Sequence, residues 1–358
     1  MITKIKKILY PLKLNAKCVR GYFNSKNFER GDEKICWLIG TPDHRNLGDQ
    51  AIAYAEKKYI SRVLPEYKII DITENTFHDL IFRAKKAMRK NDIILLHGGG
   101  NFGNMYYLIP ERIRRAVVRF CTKLPIVLMP QSVFFSKDAD GEKAKKLTRK
   151  IYTKPSNIHF FAREEISHKT LTEIFHPEIT YCVPDIVLSI RSDGLIPTAE
   201  QRSGIITCIR KDKERKLTAD EFDRIIETAK KCDSLKEIDT ISPVTVPIDD
   251  RESHLSKIWS EFASAKLVIT DRLHGMIFAA ITNTPCIIFS NANHKILGVH
   301  KWLKHFRSLV FLNSPEELTE EVINNTIASI ETDPDRWNSV DEAFEPLKKL
   351  LLELTSEK

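Results

Sequence analysis

The stretch Thr270-Asp-Arg-Leu-His-Gly275 sets an acid, a guanidinium and an imidazole between a β-branched run at 267–270 and an apolar stretch reaching Ile281. A strand feeding a helix there leaves the first helical N–H groups without backbone partners. The helix dipole adds positive charge at the same end, so anions settle there. Arg272 offers a planar fork for a carboxylate or phosphate, and His274 changes charge near neutrality. The pair predicts an anion site with a proton donor beside it. The alternative is a plain turn in which Arg272 pairs with Asp271 and His274 caps the helix.

Polar groups recur wherever another apolar run stops. His44, Asn46 and Asp49 follow the run at 34–40, with Asp49 expected to open a helix through Ala51, Ile52, Tyr54 and Ala55. Gly98, Gly99, Gly100 and Asn101 follow the run at 92–97, where successive glycines let a ligand or a second backbone approach exposed N–H groups. The pattern matches neither GxGxxG nor the Walker lysine loop, so dinucleotide and triphosphate binding find no support. Gln131 and Ser132 end the run from 125, and Arg163 ends the next. Asp185 heads an expected strand at 183–188, Arg210 and Lys211 end the run from 204, and Asn291 and His294 follow the run at 285–289. Open α/β sheets bind ligands beyond the carboxyl ends of their strands, which makes these residues the lining of one cleft.

The elements that must position them alternate strand and helix, with further strands expected at 67–72 and 238–241 and helices at 218–232, 250–265 and 339–354. At 358 residues two domains are expected. A basic segment spans 1–33, the first Rossmann-like unit 34–195 and the second 203–330, with the linker in the Gly-, Pro- and Ser-bearing stretch 191–203. Residues 336–358 form a terminal helix expected to pack back on the first domain. Hydrophobic residues at 42% and charged residues at 29% indicate a folded globular chain. The net charge of +8 favours anionic partners, but the lysines are spread over many helices and no aromatic-basic module appears, which argues against nucleic acid. The seven cysteines are scattered without a CxxC pair, as expected of a reducing cytoplasm. No run is long and apolar enough to span a bilayer, yet Ile5, Ile8 and Leu9 among Lys4, Lys6 and Lys7 suit a peripheral contact with an anionic membrane.

Asn46-Leu-Gly-Asp49, His97-Gly-Gly-Gly-Asn101, Ala162-Arg-Glu164, Pro184-Asp185 and Thr270-Asp-Arg-Leu-His-Gly275, in this order over roughly Cys36 to Phe306, resemble the polysaccharide pyruvyl transferase family. The resemblance implies a GT-B-like α/β fold, two Rossmann-like doubly wound domains facing across a cleft. It also implies transfer of the enolpyruvyl carbons of phosphoenolpyruvate onto two hydroxyls of a sugar, forming a ketal. By the same resemblance Arg163, Arg272 and His274 fall on positions the family uses for phosphoenolpyruvate, with His274 as the acid.

The residues suit that chemistry independently. A donor with both carboxylate and phosphate needs at least two cationic clamps, for which Arg163 and Arg272 are candidates, with Arg210 and Lys211 beside them. A protonated His274 held among acids would deliver the proton. Asp49 is the expected base for the acceptor hydroxyl and Asp271 the next choice. Asn46, Gly99, Gly100, Asn101, Gln131, Asn291 and His294 are expected to line the substrate cleft. No metal and no cofactor are expected, and the acceptor sugar is expected to be lipid-linked or nucleotide-linked. A nucleotide-sugar glycosyltransferase of the same fold is the enzymatic alternative, and a basic nucleic-acid or membrane-surface protein the non-enzymatic one.

Overall fold

A computed structural model describes residues 16–105, 109–199, 201–211, 216–290 and 294–356. The first fifteen residues of the basic N-terminal segment, and Asn291, lie outside the described residues.

Two parallel sheets organise the chain. The first contains β1 (Lys34–Thr41), β2 (Tyr67–Thr73), β3 (Ile93–Leu96), β4 (Gly99–Gly103), β5 (Ile126–Phe134), β6 (Ile158–Ala162) and β7 (Thr180–Cys182). Its order is β2-β1-β3-β5-β6-β7, with β4 also paired to β5. The second contains β8 (Ile205–Cys208), β9 (Leu235–Glu237), β10 (Leu267–Thr270), β11 (Cys286–Phe289) and β12 (Leu309–Leu312), ordered β12-β11-β10-β8-β9. Helices cover both faces of such sheets, so the strands need apolar side chains on both sides. Ile93–Leu96 and Leu267–Thr270 are accordingly buried at every position. Strand order reverses between β1 and β3 in one sheet and between β8 and β10 in the other. Those switch points open crevices at the carboxyl ends.

The domains share apolar packing. One buried cluster runs from Leu38, Ala51 and Tyr54 through Val187 to Trp259, Met276 and Phe278, and on to Leu347 and Leu351 of the helix Glu345–Thr355. Tyr54 meets Trp259 edge to face at 5.8 Å, and the Tyr59 hydroxyl donates to the Phe344 carbonyl at 3.2 Å. At the opposite end of the first sheet, the buried Asp92 carboxylate accepts from Arg30, Trp37 Nε1 and the Ile35 and Arg89 amides. Burial alone would raise its pKa, but these donors hold it below the ordinary carboxylate value.

Several local expectations are corrected. Residues 183–188 are not a strand: Asp185 caps a 3₁₀ helix, Ile186–Ile190, and the strand precedes it at Thr180–Cys182. A short apolar run has no periodicity that would separate the two. The strand expected at 238–241 ends at Glu237, and β12 was not anticipated. The glycine turn itself forms β4. Asn46, not Asp49, caps the helix Leu47–Val63, its side chain accepting from the Gly48 amide. The single terminal helix is two, Asn338–Glu342 and Glu345–Thr355. The seven cysteines form no disulfide, and no helix of the described residues is long and apolar enough to cross a membrane.

Candidate active site

Thr270 ends β10, and its hydroxyl donates to the Cys208 carbonyl of β8 while accepting from the Arg272 amide at 3.0 Å. Asp271 is fully buried, and its Oδ1 accepts from the Arg210 amide at 2.7 Å. It therefore ties β8 to β10 at the switch point. Arg272 takes the extended N-cap position of the helix Leu273–Ile281. The fork does not pair with Asp271. Its Nη2 donates to Asp239 at 2.8 Å, and its buried Nε has no hydrogen-bond partner among the described residues.

His274, the second residue of the helix, reaches the first domain. A Cβ on Gly48 would stand 2.2 Å from its Nδ1, so only glycine lets the imidazole lie against the helix start Asn46–Asp49. Its Nε2 stands 4.0 Å from Asp185 Oδ2 and has no hydrogen-bond partner among the described residues. Burial lowers the imidazole pKa; Asp185 and Asp49 oppose this and Arg163 and Lys295 add to it. The histidine expected to be protonated among acids is thus biased neutral by its protein surroundings.

Arg163 ends β6 and is buried. Its Nη1 donates to Asp185 at 2.7 Å, its Nε to Ser132 at 2.8 Å, and its Nη2 faces Gly100. A Cβ on Gly100 would stand 3.0 Å from that Nη2 and 3.3 Å from the Lys295 ammonium. Two cations from different domains converge over this glycine, which makes the place suited to a multiply charged anion. Across the same seam, His294 lies 3.3 Å from Glu164, and the Trp302 indole donates to the Arg163 carbonyl at 3.0 Å.

Asp49 occupies the facing rim. Asn46 Nδ2 donates to its Oδ2 at 2.8 Å, His44 lies 3.6 Å away, and the side chain keeps 22% exposure, so the carboxylate is oriented yet reachable. Gly99 brings the glycine strand within van der Waals reach of Asp49. Other expected lining residues turn out to be supports. Both oxygens of Asn101 accept from Arg114, and Gln131 Nε2 donates to the His97 carbonyl at 2.6 Å. Lys211 is exposed and its ammonium pairs with Glu237 at 3.2 Å, outside the cluster.

Two residues escaped sequence reading. Glu56 is fully buried and holds His97 Nδ1 at 2.7 Å and the Gly98 amide at 2.8 Å, fixing the glycine turn from beneath. Burial would lower the His97 pKa, but the Glu56 carboxylate raises it above the ordinary value. A carboxylate on the otherwise apolar face of 51–60 was the available signal. Lys295 carried none, because its burial depends on the other domain closing over it.

With this geometry in place, the comparison with known proteins is direct. The profile of the polysaccharide pyruvyl transferase family matches residues 46–293. The chain belongs to the polysaccharide pyruvyl transferase family. As a member it is a transferase of polysaccharide biosynthesis. General stress protein 30 of Bacillus subtilis (strain 168) is 35% identical over 321 residues, covering 88% of this chain and 91% of that protein. Pyruvyl transferase 1 of Schizosaccharomyces pombe (strain 972 / ATCC 24843) is 30% identical over 299 residues, covering 78% and 72%. Among solved structures, one titled "putative UDP-N-acetylglucosamine 2-epimerase from Listeria monocytogenes" aligns with a TM-score of 0.56 at 8% identity, covering 91% of this chain and 98% of that one. That likeness concerns fold alone, the GT-B-like pairing of two Rossmann-like domains.

Proposed function

We propose that this pyruvyl transferase takes phosphoenolpyruvate as donor and builds a pyruvate ketal on two hydroxyls of a sugar acceptor. The observation that carries the reading is the convergence of Arg163, Lys295 and His274 on the Gly48 and Gly100 backbones. Arg163 and Lys295 hold one anionic end of the donor and Arg272 the other. His274 delivers a proton from Nε2 to the methylene carbon, leaving an electron-poor C2. An acceptor hydroxyl attacks C2 as Asp49 draws off its proton, the bond to the phosphate oxygen breaks with its electron pair, and the second hydroxyl closes the ketal. Of the two hydroxyl protons, one balances that placed on the new methyl group and the other leaves with phosphate. The donor's negative charge raises the His274 pKa as it binds, so protonation accompanies occupancy.

Saturating phosphoenolpyruvate, at roughly 100 times its Kd, is expected to stabilise the folded chain by about 2.7 kcal/mol. Differential scanning fluorimetry should show a higher Tm with phosphoenolpyruvate and none with UDP-sugars. A shift with UDP-sugars alone would instead favour nucleotide-sugar transfer. Phosphate release in the presence of lipid-linked and nucleotide-linked sugars then identifies the acceptor class.

A lipid-linked acceptor would place the enzyme at a membrane surface. Val19 at 46% exposure and Phe23 at 76%, beside Lys17, Arg20 and Lys26, support contact with anionic lipid. Removing residues 1–22 is expected to abolish salt-sensitive co-sedimentation with anionic vesicles while turnover of a soluble acceptor persists. Equal sedimentation of both forms would reject a membrane role for this segment.

A further inference from the structure

The chain leaving β9 does not stay with its own sheet. Ile241 forms an isolated antiparallel bridge with Asn46 of the other domain, the Leu47 amide donates to the Thr240 carbonyl at 2.8 Å, and the Ser242 amide donates to the Arg45 carbonyl at 2.8 Å. Arg45 Nε returns a bond to the Ser242 carbonyl at 2.7 Å. The start of the helix that carries Gly48 and Asp49 is therefore held partly by the second domain. At the head of this bridge stands Asp239. Its Oδ2 accepts from Arg272 Nη2 at 2.8 Å and its Oδ1 accepts from the Ile241 amide at 2.8 Å. One carboxylate thus touches both the anion-binding fork and the backbone that grips Asn46 and Leu47. Arg272 retains a buried Nε without a partner among the described residues, so an arriving anion can bind the fork while Asp239 still holds it.

We propose that Asp239 is a positioning residue that couples occupancy of the Arg272 fork to the pose of the acceptor-side helix start Asn46–Asp49. The inference rests on the pyruvyl-transfer reading above and extends it to the order of events. An anion on Arg272 shifts the guanidinium against Asp239, and the displacement passes through Ile241 and Thr240 to Leu47, then to Asn46 and the Asp49 carboxylate it orients. The coupling is free energy shared between two sites, so it must appear at the helix start when only the donor is present. It makes the acceptor side competent after the donor arrives, which guards the reactive centre against attack by water.

Hydrogen exchange of the full chain, with and without phosphoenolpyruvate, tests the idea. In the wild type, donor is expected to slow exchange at Leu47, Gly48 and Asp49 by about tenfold, within the roughly 5- to 150-fold span usual for coupled sites. Asp239→Asn keeps the shape and an acceptor for the Ile241 amide but removes the carboxylate charge that faces Arg272. It should lose that slowing and lower kcat about tenfold while donor Kd stays within about threefold. Asp239→Glu, which restores the carboxylate, should recover part of both. Undiminished slowing in Asp239→Asn would overturn the coupling alone, as would unchanged kcat per folded molecule. Failure of phosphoenolpyruvate to bind the wild type would overturn both the coupling and the reading on which it rests.

Discussion

Replacing His274 with glutamine is expected to lower kcat by roughly 10²–10⁴ with little loss of phosphoenolpyruvate affinity. Glutamine keeps polarity and approximate volume against Gly48 and Asp185 but cannot deliver a proton at neutral pH. The pH dependence should separate the empty from the occupied site. Burial biases His274 neutral without donor, so kcat/KM should already be falling as pH rises through a pKa below the ordinary histidine value. Donor charge raises the pKa in the complex, so kcat should hold to higher pH before it falls. His274→Gln should erase both descending limbs. Steady-state rates of phosphate release across pH are the measurement, and retention of both limbs in the variant would assign the proton to another group.

Arg272→Lys should behave differently. Lysine preserves the charge but not the planar fork that pairs Nη2 with Asp239 and leaves Nε unpartnered among the described residues. Hydrogen bonds to charged groups contribute about 1.5–3 kcal/mol each, so phosphoenolpyruvate binding is expected to weaken roughly 10- to 100-fold. kcat should fall as well if the fork follows the charge of the departing phosphate. Titration calorimetry with phosphoenolpyruvate distinguishes the two variants: His274→Gln should bind almost as the wild type, Arg272→Lys poorly. A pair of variants that melt early yet turn over normally per folded molecule would make this junction a structural turn.

These expectations draw on residues that were legible to different degrees. The strands at β1, β3, β10 and β11 could be read because each is a continuous apolar run bounded by polar residues, a property of the run itself. The polar residues that end those runs could be read as a rim because parallel strands bring their carboxyl ends to one side. β4 could not be read, since glycine disfavours strand locally and Gly99–Gly103 are held extended by pairing with β5. Residues 239–242 look like more strand, and the backbone does pair there, but with Asn46 of the other domain.

The sequence alone determined the α/β class, the two-sheet plan and the placement of Asp49, Arg163, Arg272 and His274 beyond the carboxyl ends of strands, in the segments that lead into or begin the next helices. Those features follow from local apolar patterning and from motifs a few residues long. Tertiary structure decided what each polar group does once placed. Asp271 became an anchor for the Arg210 amide, Asn101 an acceptor for Arg114, and Lys211 a surface partner of Glu237. Glu56 gained its role from a partner 41 residues away, Lys295 from Gly100 across the domain seam, and Asp239 from Arg272, 33 residues further along the chain. The physical reason is that a charged group's protonation and pairing depend on which other charges and how much water surround it. Those neighbours are assembled only when two distant stretches of chain pack together.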